Sequence, residues 1–141
     1  MKKLAIVYWS GTGNTEAMAE ALRDGFQEKS DDMDYFFSDD FSSDMVDDYE
    51  KIAFGCPAMG DEVLEEDSFE PMFEDCEDHL KDKEIFIFGS YEWNNGEWMD
   101  DWKERCENIG AKFFADPLIA YDYPEDEILD QLKEIGEKAA E

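Results

Sequence analysis

Residues 3–22, KLAIVYWSGTGNTEAMAEAL, contain the stretch of sequence that decides the fold. The apolar run LAIVYW is uninterrupted, which is typical of a strand buried on both faces of a sheet. The run TEAMAEAL spaces its apolar residues as one face of a helix does. Between the two lies SGTGNT, whose two glycines allow the backbone to turn tightly. The stretch therefore predicts a β-strand that enters a helix through a Gly-rich loop.

The alternation of apolar runs and helical patterns continues along the chain. The predicted strands cover residues 3–9, 33–37, 51–56, 84–90 and 112–120. The predicted helices cover residues 14–28, 65–80, 96–109 and 125–140. Strands that alternate with helices indicate an α/β fold, in which helices cover both faces of a parallel sheet. Ligands of such sheets bind beyond the carboxyl ends of the strands, so the segments after the first, third and fourth strands are candidates for a functional site.

The composition is that of one acidic globular domain. The 141 residues are enough for a single domain, residues 1–141, and 43% of them are hydrophobic. With 40 acidic and 12 basic residues the formal net charge is −28, so we expect the chain to repel nucleic acids and membranes and to favour basic partners. No apolar stretch approaches the ~18 residues of a membrane span, and no signal peptide is recognisable. Three widely spaced cysteines show no disulfide pattern, which favours reduced thiols and a cytoplasmic location.

The loop after the first strand has the composition of an anion-binding site. Ser10 to Thr15 provide backbone N–H groups and neutral side-chain donors, and the following helix adds the positive end of its dipole. The loop lacks the lysine of ATP- and GTP-binding loops, and Glu16 stands where a dinucleotide-binding GxGxxG sequence has its third glycine. These features predict a site for the phosphate of a mononucleotide. The alternative is an ordinary Gly-rich turn in which Ser or Thr caps the helix.

Three segments carry a pattern more specific than a strand, a loop and a helix. They are YWSGTGNTE at residues 8–16, AMGDEVLEE at 58–66, and FGSYEW at 88–93 with GEWM at 96–99. Together they resemble the short-chain flavodoxins of the clostridial type, in the order and spacing of that family and over nearly the whole chain. The resemblance implies a flavodoxin-like three-layer sandwich whose five-stranded parallel sheet has the order 2-1-3-4-5. It also implies that flavin mononucleotide (FMN) is bound without a covalent link.

The resemblance assigns a contact with FMN to each segment. The phosphate is expected on Ser10, Gly11, Thr12, Gly13, Asn14 and Thr15. Met59 is expected against the inner face of the flavin ring, and Trp93 against the outer face. The Gly60–Asp61 peptide is expected at flavin N5, and the Glu62 carboxylate is expected to accept a hydrogen bond from flavin N3–H.

Other residues of the expected cofactor site surround these contacts. Backbone groups of Glu92 and Asn94 are expected to meet the pyrimidine edge of the ring. The remaining members of the expected set are Pro57, Ala58, Ser90 and Tyr91. Pro57 stands where related proteins often have a small hydroxyl residue, and Glu92 and Asn94 replace glycines of the family.

The function implied by the resemblance is low-potential electron transfer on FMN, between its semiquinone and hydroquinone forms. Neither catalytic residues nor a metal site is expected. The expected partners are redox enzymes, both reductases and electron-accepting oxidoreductases, that present basic docking surfaces, and the protein is expected to be a monomer. The acidic residues expected to rim the exposed flavin edge are Asp61, Glu62, Glu65, Glu66, Asp67, Asp100 and Asp101.

Two other protein classes share this type of fold. A quinone or nitro reductase that uses NAD(P)H is the alternative function. A response-regulator receiver needs an acidic cluster after the first strand, an Asp after the third and a Lys after the fifth. The chain has Ser10, Cys56 and Ala120 at those places, which excludes the receiver.

Overall fold

Six parallel strands form one sheet in residues 1–59, 63–92 and 95–141, which are the residues that the computed structural model describes. The strands are β1 (Lys2–Tyr8), β2 (Met33–Phe37), β3 (Tyr49–Gly55), β4 (Glu84–Tyr91), β5 (Lys112–Phe113) and β6 (Leu118–Tyr121). The helices are α1 (Asn14–Gln27), α2 (Phe69–Cys76), α3 (Glu97–Ile109) and α4 (Asp126–Ala139). Short 3-10 turns cover Ser38–Asp40, Ser43–Asp48 and Glu77–His79.

The strand order β2-β1-β3-β4 continues with β5 and β6, which both pair with β4. The predicted order 2-1-3-4-5 is therefore confirmed, but the prediction of one continuous fifth strand over 112–120 is wrong. β5 pairs with the start of β4 and β6 with its end, and residues 114–117 separate the two. Pro117 lies in this gap and has no N–H group to donate to a neighbouring strand, which ends the regular pairing there.

The two faces of the sheet bury alternate residues of each strand. In β1, Leu4 and Ile6 pack in the core under α1 and α4, whereas Ala5 and Val7 pack in the core under α2 and α3. The second core contains an aromatic cluster in which ring centroids lie 5.1–6.4 Å apart. Its members are Phe54, Phe69, Phe73 and Trp102. Helices on both faces of the sheet were predicted, and this is confirmed.

Helix α2 is shorter than the predicted helix over 65–80. The Glu65 carboxylate accepts hydrogen bonds from the N–H groups of Asp67, Ser68 and Phe69 at 2.7–2.8 Å, so this buried side chain caps the start of α2. Residues 66–68 form a turn and Ser68 has non-helical backbone angles, so the helix begins only at Phe69. Pro71 lies in the first turn of α2, where a missing N–H group leaves no intrahelical hydrogen bond unmade.

Arg105 fastens α3 to α2. Its guanidinium donates to both carboxylate oxygens of Glu70 at 2.9 and 2.7 Å, and to Glu77 at 3.2 and 2.6 Å. It also lies 4.9 Å from the centroid of the Phe73 ring. These contacts fix the position of α3 relative to α2. The two helices follow the second and third segments that resemble flavodoxins.

Helices α1 and α4 cross at two glycines. A Cβ on Gly25 would lie 2.1 Å from the backbone oxygen of Lys133, and a Cβ on Gly136 would lie 2.2 Å from that of Leu22. Only glycine allows the two backbones to approach this closely. Within the described ranges, no helix combines the length and the apolar character that crossing a bilayer requires.

Candidate functional site

A cleft opens at the carboxyl ends of β1, β3 and β4, where open α/β sheets bind their ligands. Its volume is about 560 Å³, including the part open to solvent. The lining residues come from all three segments that resemble flavodoxins. They are Trp9, Gly11, Thr12, Pro57, Ala58, Met59, Ser90, Tyr91 and Glu92. The structure thus brings together most of the predicted site residues that it describes.

The loop after β1 presents unpaired donors at the start of α1. Gly13 has φ = +98°, a conformation that favours glycine, and its N–H group donates to Ser10 Oγ at 3.1 Å. The first helical hydrogen bond runs from Ala17 N to Gly13 O at 3.0 Å. Within the described ranges, the N–H groups of residues 14–16 have no acceptor, as expected for the first turn of a helix. These donors are available to an external anion.

The chemistry of this donor set fits the FMN phosphate. All of its members are neutral, and none of the residues that line the cleft is basic. A phosphate would therefore be held by backbone N–H groups, hydroxyls and the α1 dipole. The loop does not fit a nucleoside triphosphate, whose charge requires a lysine or a metal ion.

Thr15 and Ser90 form a buried hydroxyl pair that joins the loop to the end of β4. Thr15 is 1% exposed and Ser90 is 4% exposed, and their Oγ atoms lie 2.9 Å apart. The Ser90 N–H group also donates to Thr15 Oγ1 at 3.3 Å. Each hydroxyl has one hydrogen and only one hydrogen can lie between the two oxygens, so the other remains free to donate. The pair can therefore give one hydrogen bond to a phosphate while it fixes the loop on the sheet.

Apolar side chains form most of the walls of the cleft. Trp9, Pro57, Ala58, Met59 and Tyr91 contribute them, and a flat amphipathic ring needs such a surface. The polarizable thioether of Met59 is suited to contact with an aromatic face. The donor set and these walls adjoin, as the phosphate and the ring of one FMN molecule require.

Hydrogen bonds from the backbone and from one side chain fix the segment after β3. Ala58 N–H donates to Ser90 O at 3.0 Å, and the Trp98 indole N–H donates to Cys56 O at 3.3 Å. Met59 and Val63 exchange two backbone hydrogen bonds of 2.9 and 3.2 Å. Hydrogen bonds with Ser90, Trp98 and Val63 therefore fix the backbone that carries Met59.

Asp122 contacts residues of the site although it was not among the residues predicted from the sequence. Its N–H group donates to Tyr91 O at 2.7 Å, and its carboxylate accepts from the side-chain amide of Asn14 at 3.3 Å. Its φ of +57° lies in the left-handed region. The site was predicted from the segments after the first, third and fourth strands only. The sequence did contain a signal for this residue. Asp122 directly follows the last strand, and the carboxyl ends of all parallel strands lie at the same edge of the sheet.

Glu16 and Cys56 have structural partners beside the cleft. The Tyr8 hydroxyl donates to Glu16 Oε2 at 3.0 Å, and burial together with this bond raises the pKa of Tyr8. The Cys56 sulfur accepts the Glu65 N–H group at 3.3 Å. Burial raises the pKa of the Cys56 thiol, so this cysteine packs as a neutral side chain.

Part of the expected site lies outside the described residues. The expected contacts of the flavin ring with these residues stay predictions; they are Gly60, Asp61, Glu62, Trp93 and Asn94. Of the acidic residues expected at the rim, Glu66, Asp67, Asp100 and Asp101 are exposed. Glu65 is 6% exposed and caps α2, so its assignment to the rim is wrong.

The comparison with known proteins agrees with this geometry. The flavodoxin family model matches residues 6–135. The chain belongs to the flavodoxin family. It is 43% identical to the flavodoxin of Megasphaera elsdenii over 135 residues, covering 96% of each chain. It is 42% identical to the flavodoxin of Clostridium beijerinckii over 137 residues, covering 97% of this chain and 99% of the relative.

A solved flavodoxin has the same fold. The solution structure of two-electron reduced Megasphaera elsdenii flavodoxin superimposes with a TM-score of 0.85 at 42% identity and covers 97% of this chain and 98% of that one. Flavodoxins bind FMN and carry electrons, and they are not enzymes with a substrate of their own. The chain is therefore an FMN-binding electron-transfer protein, and nothing favours the reductase alternative.

Proposed function

We propose that residues 1–141 act as one domain that holds a single FMN in the cleft and carries single electrons at low potential between redox enzymes. The observation that supports this most directly is the neutral donor set at the start of α1, which adjoins the apolar walls of the cleft. A mononucleotide phosphate and a flat ring are the two groups that this combination accepts. Bound FMN supplies the redox chemistry, and the protein binds and orients it.

The proposed site combines described residues with residues of the family pattern. The phosphate is held by residues 10–15, with Ser90 supporting Thr15. The ring lies between Met59 and the segment that follows Tyr91. The further proposed contacts are those of Pro57, Ala58, Gly60, Asp61, Glu62, Glu92, Trp93 and Asn94. Asp122 adds a carboxylate beside Asn14.

The charge of the protein favours a low potential. The net charge is −28, and Glu92 lines the cleft. Negative charge near the ring raises the free energy of adding an electron to it. The protein therefore donates electrons readily once it has been reduced.

The same charge indicates the type of partner. Basic docking surfaces on reductases and electron-accepting oxidoreductases complement the acidic edge around the cleft. A monomer leaves this edge free for such partners. The three cysteines are buried free thiols, and reduced thiols agree with a cytoplasmic location.

Cofactor analysis of the purified protein tests the proposal. We expect a flavin absorption spectrum, and extraction should release one FMN and no FAD per chain. Dialysed apo-protein should bind added FMN more tightly than riboflavin, because only FMN has the phosphate that the α1 donors accept. A protein that remains colourless with FMN, or that oxidises NAD(P)H in steady state without a partner, would contradict the proposal.

A further inference from the structure

Few large apolar side chains remain exposed in the described parts of the chain. They are Met1, at the edge of the sheet opposite the cleft, and Val63, Tyr121 and Tyr123. Tyr121 is 64% exposed and Tyr123 is 60% exposed. Both lie at or just beyond the end of β6, at the edge of the sheet that carries the cleft. We name these two residues the tyrosine patch.

The tyrosine patch is connected to the wall of the cleft. The Tyr121 ring centroid lies 5.4 Å from that of Tyr91, which lines the cleft and packs 5.7 Å from Trp98. The Asp122 N–H group donates to Tyr91 O, and Pro124 is buried. The backbone on both sides of Tyr123 is therefore anchored while the rings stay exposed. A partner seated on the patch would lie next to the cofactor.

The chain on both sides of the tyrosine patch is acidic. No basic residue occurs in residues 113–132. The same stretch contains Asp116, Asp122, Glu125, Asp126, Glu127 and Asp130. Exposed aromatic rings on an acidic segment favour cations with an apolar stem, because the carboxylates attract the charge and the face of each ring is negative.

We propose that the tyrosine patch is a docking surface for a protein partner whose arginine or lysine side chains lie over the two rings. This inference rests on the proposed function, since it concerns the partner to which electrons pass. The carboxylates attract the partner from a distance, and salt screens this attraction. The rings act only at contact, by cation–π attraction and by burial of apolar surface, which salt screens much less.

Binding to a basic probe protein at several ionic strengths separates the two contributions. Cytochrome c, a basic haem protein, serves as the probe, and FMN-loaded oxidised protein is titrated onto it between 0.02 and 0.5 M NaCl, roughly the range over which the screening length falls below 10 Å. The variants are Tyr121→Ser, Tyr123→Ser and the double Ser variant. Tyr121→Phe with Tyr123→Phe retains both rings and is the matched control. Asp126→Asn with Glu127→Gln removes two exposed charges and is the electrostatic control.

The double Ser variant should bind about three- to tenfold more weakly at every salt concentration, with an unchanged salt dependence. The Phe control should bind like the unchanged protein. The electrostatic control should reduce the salt dependence and converge with the unchanged protein at high salt. Tyr123→Ser alone should weaken binding, and this variant leaves the Tyr91 contact intact.

Equal binding by the double Ser variant and the unchanged protein at all salt concentrations would overturn the inference. Weaker binding of the double Ser variant at low salt only would also overturn the inference. The substitutions would then have changed only the electrostatic attraction, which salt screens. Electron transfer to the probe is recorded separately by stopped flow. If the unchanged FMN-loaded protein binds the probe but never reduces it after its own reduction, the proposed function fails, whatever the tyrosine variants show.

Discussion

Asp122 places a negative charge beside the N–H groups at the start of α1, where the phosphate is expected to bind. Its carboxylate accepts from Asn14, the first residue of α1, and the side chain is exposed. Asn at this position could still accept that hydrogen bond but would carry no charge. Asp122→Asn should therefore tighten FMN binding by up to about fivefold, since repulsion between exposed charges amounts to about 1 kcal/mol at most.

Riboflavin binding is the control for the effect of Asp122→Asn on FMN binding. Riboflavin has no phosphate, so its affinity for apo-protein should not change in Asp122→Asn. Asp31→Asn, at the opposite edge of the sheet, removes the same charge and should leave FMN binding unchanged. Fluorescence titration of apo-protein measures both affinities. Weaker binding of both flavins in Asp122→Asn would contradict this prediction and would show that the carboxylate supports the shape of the site.

The contribution of Thr15 to the stability of the protein can be measured without FMN. The Thr15 hydroxyl is the acceptor for the buried Ser90 N–H group and the partner of Ser90 Oγ. Thr15→Val removes this hydroxyl and should lower the free energy of unfolding of apo-protein by about 1–3 kcal/mol, the usual result of leaving buried polar groups unsatisfied. Thr15→Ser retains the hydroxyl and should recover most of the loss. Urea unfolding without FMN decides this, and equal stabilities of the Val and Ser variants would rule it out.

At the scale of elements, the crossing of α1 and α4 depends on two glycines. Gly25→Ala or Gly136→Ala would gain about 1 kcal/mol in helix propensity. Each Cβ would nevertheless lie within 2.2 Å of a backbone oxygen, so the helices must move apart. We expect each variant to lose about 2 kcal/mol or more in the free energy of unfolding, since overpacking of this kind outweighs propensity.

The double variant Gly25→Ala with Gly136→Ala tests whether the two glycines act at the same contact. Once one Ala has separated the helices, the second should cost less, so the two losses should not add. Urea unfolding of the two single variants and the double variant gives the coupling. Fully additive losses would mean that the two glycines act at independent contacts.

Elements whose apolar pattern is strong could be predicted from the sequence. The bounds of α1, β2 and α4 differ from the predicted ones by at most one residue at either end. The break between β5 and β6 was missed although Asp116 and Pro117 interrupt the apolar pattern there, because the apolar residues on either side were predicted as one strand. The start of α2 was missed because the Glu65 carboxylate reaches forward to the helix, and no periodicity reports such a contact.

The position of the cleft was predicted to a similar extent. The loop and the cleft residues from β1, β3 and β4 were identified because each follows directly from a strand in the sequence. Asp122 was missed because its position depends on the pairing of β6 with β4. The expected rim role of Glu65 failed for a related reason, since its burial is decided by three backbone donors of the next turn.

At the scale of the whole molecule, half of the basic residues lie at the edge of the sheet opposite the cleft. Six of the 12 basic residues are at or just before the amino ends of strands: Lys2, Lys3, Lys51, Lys81, Lys83 and Lys112. No basic residue lines the cleft at the opposite edge. The acidic groups around the cleft therefore repel one another with little local compensation.

This repulsion should make the stability of apo-protein depend on salt. The compact state concentrates a net charge of −28, so screening should stabilise it. The urea midpoint should rise between 0.02 and 0.5 M NaCl, roughly the range over which the Debye length shortens from above 20 Å to below 5 Å. An unchanged or falling midpoint would contradict this expectation. Comparing NaCl with KCl at equal ionic strength is the control for specific ion binding.

The crossing at Gly25 and Gly136 also has a consequence for how the chain is made. Helix α1 ends at Gln27 and its packing partner α4 begins only at Asp126. At roughly 5–20 residues per second, a ribosome needs about 5–20 s to add the intervening residues. During this interval the buried side of α1, with Leu22 and Phe26, has no α4 to pack against. The nascent chain thus carries an unshielded apolar surface for seconds, which is the kind of surface that chaperones bind.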